Sequence, residues 1–437
     1  MKLAIRGPIR IGILAPEFLI NIGANDFLKN IIRGLAQHPQ AELVFLCPHP
    51  HERIEQVVSA STKERLKRIP YLKDLARAVV RLTAPATNRI VPSRPAGTYD
   101  FYGEACPTMR FVVSATDPDS LRRLRTELGI DVFLPSIHAL GDDIPYVTYW
   151  PDCQPKHYPE FFNDEAQRAR DQRIQALLDS GKPMIINSRD AKGDMQRFYG
   201  AAPTQIFELP FAPIIEFDKV MPRPELANRY RLERPYVIVC NQFWVHKSIE
   251  TVIQAAHELK KRRLPVKVVF TGKMEEPRRP AYIDGLRQLT ADLAVEDVVT
   301  FLGYIPKDDQ LELMKNALAV VQPTLFEGGP GGGSIYDAVS LGIRGIVSDI
   351  AINHELPIAP GRLELFRTRD PNDLVDHIEA MLRTPYRRPS PEDLYQANRQ
   401  SARLLAGRLY EAIAYARPDL ASQEIASEPR SEASDHE

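Results

Sequence analysis

The sequence has no run of ~20 apolar residues, the length a membrane-spanning helix needs, so no spanning segment is expected. Its start, MKLAIRGPIRIGILAPEFLI, is interrupted by Arg10, Pro16 and Glu17, which fits neither a signal peptide nor a span. Cysteine is scarce: Cys47, Cys106, Cys153 and Cys240 lie far apart and form no Cys-x-x-Cys. A disulfide framework and a structural zinc site are therefore not expected, and a reducing cytoplasm is the natural compartment. Charge of one sign is lacking too, since 56 Lys plus Arg against 57 Asp plus Glu leave a net charge of −1. Without a basic excess to neutralise phosphates, nothing global marks a nucleic-acid binder.

What remains is ordinary soluble composition, with 44% hydrophobic and 26% charged residues. At 437 residues, two domains are expected. Arg10–Leu14 reads as a buried strand and Gly23–Ala36 as a helix, with Phe27, Leu28, Ile31, Ile32 and Leu35 at helical spacing. Glu42–Cys47 is the next strand, which completes a βαβ unit and implies a parallel sheet. The alternation returns at Asp131–Pro135, Tyr146–Tyr149 and Pro183–Asn187, then at a helix over Arg189–Tyr199. It begins afresh at Tyr236–Cys240 and continues through Ile249–Arg262, Val266–Phe270, Val298–Phe301, Gln310–Ala317, Ala319–Gln322, Ser334–Leu341 and Gly345–Ser348. Phe211–Pro224, with Pro213, Pro222 and Pro224, reads as the linker between two α/β halves.

Two segments break this pattern. Residues 61–94 are rich in Lys and Arg around an apolar stripe of Leu72, Leu75, Ala76, Val79, Val80 and Leu82. They read either as a solvated helical insertion or as a basic amphipathic helix on an anionic membrane surface. Residues 418–437 are acidic and poor in large apolar side chains, the composition of a disordered tail.

The stretch carrying most chemistry is PTLFEGGPGGGSIYDAVSLG, Pro323–Gly342. A strand runs into Gly328, Gly329, Gly331, Gly332 and Gly333, and a helix is expected to open at Ser334. Such glycines let backbone N–H groups approach an anion at a helix start, where the dipole favours phosphate. Glu327 and Asp337 flank this cradle and suit the hydroxyls of an attached sugar or ribose. The plainer alternative is a Gly-rich turn with Ser334 as helix cap. A second strand–loop–helix, CNQFWVHKSIETVIQAA, places Lys247 just before a helix, where its ammonium can meet phosphate oxygens. His246 beside it reads as a surface residue. Asp117-Pro-Asp119 matches a metal-binding spacing but opens the helical SLRRLRTEL, so helix capping is the preferred reading.

Three features together resemble retaining family 4 (group 1) glycosyltransferases: Phe-Glu-Gly-Gly before a carboxylate at a helix start, the Leu341–Asp349 run, and Asn353-His-Glu-Leu. Gly23-Ala-Asn-Asp resembles that family's Gly-rich acceptor-side loop, and Asn241–Lys247 its donor-side lysine loop. Tyr149-Trp-Pro-Asp-Cys-Gln and Pro159-Glu-Phe-Phe resemble a subgroup signature. The resemblance implies a GT-B architecture, two Rossmann-like parallel-sheet α/β domains facing a central cleft. Residues 1–215 would be the acceptor-side domain, 216–390 the nucleotide-sugar domain, and 391–417 a C-terminal helix.

It implies transfer of a hexose, with retention, from GDP-mannose (preferred) or a UDP-sugar to a glycan or lipid-linked acceptor. No metal or cofactor is called for beyond the donor. The enzyme would be cytoplasmic, or peripheral at the inner membrane face through residues 61–94. Lys247, Glu327 and either His138 or His157 would serve at the reacting centre, and Gly23, the loop glycines, Ser334 and Asp337 in binding. The sequence departs from the family in two places. Glu327 and Asp337 lie ten apart instead of eight, and Pro155 follows Gln154 where the subgroup has His. A nucleotide-sugar-binding scaffold subunit and a GT-B nucleotide-sugar isomerase are the alternatives.

Overall fold

Apolar runs such as IRIGIL, YVIVC and GIVS become strands buried on both faces, as parallel sheets covered by helices require. The structure, a computed structural model, describes residues 2–5, 7–19, 22–47, 89–90, 98–200 and 204–424. The chain begins with β1 (Lys2–Ile5), β2 (Ile9–Leu14), α1 (Ile22–Leu35) and β3 (Ala41–Cys47). Next come β4 (Arg89–Ile90), β5 (Arg110–Val113), α2 (Pro118–Leu128), β6 (Val132–Ser136) and β7 (Tyr146–Tyr149). They are followed by α3 (Asp164–Asp179), β8 (Met184–Ile186), α4 (Arg189–Tyr199) and β9 (Ile206–Glu208). The second alternation is β10 (Tyr236–Cys240), α5 (Ile249–Lys261), β11 (Lys267–Thr271), α6 (Tyr282–Asp292), β12 (Val299–Gly303) and α7 (Lys307–Asn316). The chain ends with β13 (Ala319–Gln322), α8 (Gly332–Ser340), β14 (Gly345–Ser348), β15 (Leu363–Phe366), α9 (Pro371–Arg383), α10 (Pro391–Ala416) and β16 (Ala421–Glu424).

Two compact units result. The first comprises Met1–Tyr149, Ser180–Met184 and Ala406–Glu437, and the second Trp150–Asp179 and Ile185–Leu405. This division differs from the expected boundary at 215/216, because Trp150–Asp179 and the chain after Ile185 are counted with the second unit.

In the first unit the strand order is β4-β5-β3-β2-β6-β7-β8. The β3–β2–β6 ladders are parallel and β4 runs antiparallel to β5. Leu14, Val44, Leu46, Phe133 and Tyr146 meet Leu121 and Leu124 of α2 in a closed core. The Asp117 carboxylate caps α2 by accepting from the N–H groups of Asp119 and Ser120, both at 3.1 Å, while Asp119 pairs with Arg122. Capping is thus what this Asp-Pro-Asp does.

Ala421–Glu424, which composition placed in a disordered tail, pairs antiparallel with β1. Pro418–Leu420 form a 3-10 turn just before it, and residues 425–437 lie outside the described residues. So does the basic 61–94 segment apart from Arg89–Ile90, which form β4. Among the described residues no helix is long and apolar enough to cross a membrane.

The second unit holds a six-stranded sheet ordered β12-β11-β10-β13-β14-β15, parallel throughout. Alternation along β10 sends Val237 and Val239 to one core with Ile249, Val252 and Ile253 of α5. Tyr236 and Ile238 go to the other, with Ile335 and Ala338 of α8. Helices therefore cover both faces, and the Rossmann-like doubly wound pattern expected from the sequence is present.

Candidate functional site

The order of the second sheet decides where its loops meet. From β10 the chain proceeds outward to β11 and β12, then returns across β10 to place β13 on its other side. Loops leaving the carboxyl ends of β10 and β13 therefore diverge from adjacent strands, the topological switch point at which such sheets bind ligands. The β10 loop carries Lys247 and the β13 loop carries Glu327 and the glycines. Register pairs Val237 with Ala319 and Ile238 with Val320, which holds the two loop origins side by side.

Lys247 closes a 3-10 turn over Val245–Lys247, and its N–H donates to Trp244 O at 2.8 Å. Its ammonium pairs with Glu327 Oε1, and the two side chains are only 11% and 9% exposed. The same Oε1 accepts from Gln322 Nε2 at 2.7 Å, and Gln322 Oε1 accepts from Asn241 Nδ2 at 2.6 Å and Ser334 Oγ at 3.1 Å. One cation, one carboxylate, two amides and a hydroxyl thus form one connected network. Lower down, the loops are tied by His246 O, which accepts from Leu325 N at 2.7 Å and Thr324 Oγ1 at 3.2 Å.

The glycine loop is more differentiated than its composition implies. α8 begins at Gly332, and Ser334 sits inside it with its hydroxyl turned to Gln322 instead of capping. Gly331 and Gly332 have φ of 69° and 61°, the left-handed region that other residues rarely adopt. Gly331 N–H donates to Asn353 Oδ1 at 2.7 Å, while Asn353 Nδ2 donates to Ser348 O at 2.8 Å. The fully buried Asn353 therefore straps the loop to the end of β14. Gly328 lies against Asp152, whose Oδ2 would stand 3.2 Å from an added Cβ. Asp337, within α8, pairs with Lys307 at 2.5 Å.

The two candidate histidines part company. His157 lies in the second unit, its Nε2 2.6 Å from Asp194 Oδ2 and its ring 5.3 Å from that of Phe326, the residue before Glu327. His138 lies in the first unit, half-exposed, with its Nε2 3.3 Å from Glu17 Oε1. Gly23 is also in the first unit, exposed near the start of α1.

Sequence reasoning gave no individual role to Asn241, Gln322 or Tyr158, whose hydroxyl donates to Leu325 O at 3.1 Å. Asn241 and Gln322 did carry a signal: each is an amide side chain at the carboxyl end of an apolar strand. His246 is the clear correction. It is 5% exposed, not a surface residue, because Thr324 and Leu325 close over its loop.

Burial pushes the His246 imidazole down from 6.5 to about 2, helped by the nearby Lys247 and Arg278 charges, and its Nδ1 has no partner. The folded state therefore favours neutral His246. That contribution is complete above the unfolded value of 6.5 and is lost as pH falls below it, at about 1.4 kcal/mol per pH unit. Urea unfolding at pH 7 and pH 5 should show the wild type losing roughly 2 kcal/mol more than His246→Leu. Equal losses would contradict a neutral, buried imidazole.

Residues 224–401 match the family described as glycosyl transferases group 1. A 102-residue stretch is 31% identical to a Mycobacterium tuberculosis protein named GDP-mannose-dependent alpha-(1-6)-phosphatidylinositol monomannoside mannosyltransferase. That stretch is 22% of this chain and spans a quarter (25%) of the relative's length. Among solved structures, sucrose-phosphate synthase from Thermosynechococcus elongatus aligns with a TM-score of 0.57 at 15% identity, covering 93% of this chain and 94% of that one. The Anabaena protein HepE in complex with UDP aligns with a TM-score of 0.52 at 13% identity, covering 95% and 98%. These likenesses carry the GT-B fold, and residues 224–401 are similar to the group 1 glycosyl transferases.

Proposed function

We propose that this chain is a retaining glycosyltransferase that moves a hexose from a nucleotide diphosphate sugar to a glycan or lipid-linked acceptor. The observation that carries the reading is the Lys247–Glu327 pair at the switch point, beside a glycine loop that opens α8. Departure of the diphosphate builds negative charge on its β-phosphate. A fixed ammonium in a dry site stabilises that charge far better than water does. Lys247 fills this role, the α8 N-terminus receives phosphate oxygens, and Glu327 contacts the transferred sugar. Asp337 lies inside α8, a position suited to holding the ribose hydroxyls. GDP-mannose is the favoured donor because the mycobacterial relative is named for it.

The test is to incubate the full chain with GDP-mannose and UDP-glucose and follow release of nucleoside diphosphate, with the anomeric configuration of the product read by NMR. Release from one donor with retention supports the reading. Binding without release points to a scaffold subunit, and a new nucleotide sugar to an isomerase.

Asp337→Ala should weaken nucleoside diphosphate binding by ~10-fold, the loss of one charge-assisted hydrogen bond, with little change in turnover at saturation. Calorimetry with GDP and UDP measures it. Unchanged affinity for both would remove Asp337 from the ribose site.

A further inference from the structure

The opposite end of the same sheet carries a second feature that the donor reading leaves unused. A cavity of about 500 Å³ lies where Pro235 enters β10, Leu318 enters β13 and Arg344 enters β14. Three arginines line it, Arg234, Arg344 and Arg388, together with Tyr386 and Asn316. Arg344 forms the floor at 7% exposed, and Arg234 and Arg388 stand exposed at the rim.

Charge here is uncompensated. Arg344 donates from Nε to Leu318 O at 3.1 Å and from Nη1 to Met381 O at 2.7 Å and Thr384 O at 3.2 Å. Its guanidinium stands 5.2 Å from the Tyr386 ring. Arg388 donates to Lys315 O, and Arg234 to Asn316 Oδ1. These partners are carbonyls, an amide and a ring; among the described residues no carboxylate pairs with any of the three. The acidic groups whose charge reaches them are engaged elsewhere. Glu364 accepts from His377 Nδ1 and Gly361 N, and Glu312 pairs with Lys315 and accepts from Arg223 N. Burying a cation without a counter-charge is costly, and an anion from solution is the partner that offsets it.

The geometry points to a binding site for a small phosphorylated metabolite, its phosphate held among Arg234, Arg344 and Arg388 and its carbon body against Tyr386. Guanidinium forks match phosphate oxygens in pairs. The volume falls in the ~300–1,000 Å³ range of small-molecule sites and exceeds what a bare phosphate fills. Leu318, just before β13, and Gln322, its last residue, lie roughly 13 Å apart at ~3.3 Å per residue, so the site is separate from the Lys247–Glu327 network.

The experiment is calorimetric titration of the full chain with glucose 6-phosphate, AMP and inorganic phosphate. Saturable binding of one of the two monoesters, tighter than inorganic phosphate, is expected. Arg234→Gln combined with Arg388→Gln should weaken it by ~10-fold or more. Lys247→Ala, altered in the loop at the carboxyl end of β10, should leave it unchanged. Either Arg variant alone gives a partial loss if the pair fails to fold. Three results would overturn the site: no saturation by either monoester up to ~10 mM, equal affinity for inorganic phosphate, or binding lost in Lys247→Ala and kept in the Arg variants.

Discussion

Lys247→Ala is expected to lower turnover at saturating donor by ~10²-fold or more, because the ammonium acts on charge that appears only as the glycosidic bond breaks. The structure adds a second consequence. Glu327 is 9% exposed, and without Lys247 its carboxylate keeps only the Gln322 amide as partner. Removing one member of a nearly buried pair costs ~3 kcal/mol or more, so the variant should also melt earlier. Combining Lys247→Met with Glu327→Gln replaces the pair by neutral groups of similar size and should recover most of the stability while turnover stays low. Steady-state assays beside thermal unfolding separate the two effects. Turnover near wild type in Lys247→Ala would sink the assignment, whatever the melting temperature.

That pair also marks the limit of what the sequence discloses. YVIVC and AVVQ read as strands with their observed ends, since each is a short apolar run bounded by polar or turn-forming residues. Lys247 and Glu327 were both singled out, yet their contact spans 80 positions and exists because β13 returns to lie beside β10. Strand order is a property of the whole sheet, and no local pattern encodes it. Helix α3 was not read at all: in DEAQRARDQRIQALLD only Ile174, Leu177 and Leu178 are buried, too few to raise a periodic signal. His246 failed for the opposite reason. Its own neighbours are ordinary loop residues, and its burial is supplied by Thr324 and Leu325 from the other loop.

The glycine loop offers the second large effect, with a control built into the sequence. Composition treats Gly331, Gly332 and Gly333 alike, but the backbone does not. At Gly332, φ is 61° and an added Cβ would stand 2.8 Å from Gln322 Nε2 and 2.9 Å from Glu327 Cδ. At Gly333 nothing lies within 4 Å and φ is ordinary for a helix. Gly332→Ala therefore meets a left-handed penalty of ~1–2 kcal/mol and also pushes on the two side chains that hold the Lys247 network. Displacing a positioned group by ~1 Å costs on the order of 10²-fold in rate, so turnover should fall by tens to a hundredfold. Gly333→Ala should leave turnover intact and stabilise α8 by up to ~1 kcal/mol, the difference between Ala and Gly inside a helix. Kinetics and denaturant unfolding of both variants decide the point. Equal behaviour of the two would mean that the loop works by flexibility alone, with the left-handed turn at Gly332 irrelevant to how Glu327 is held.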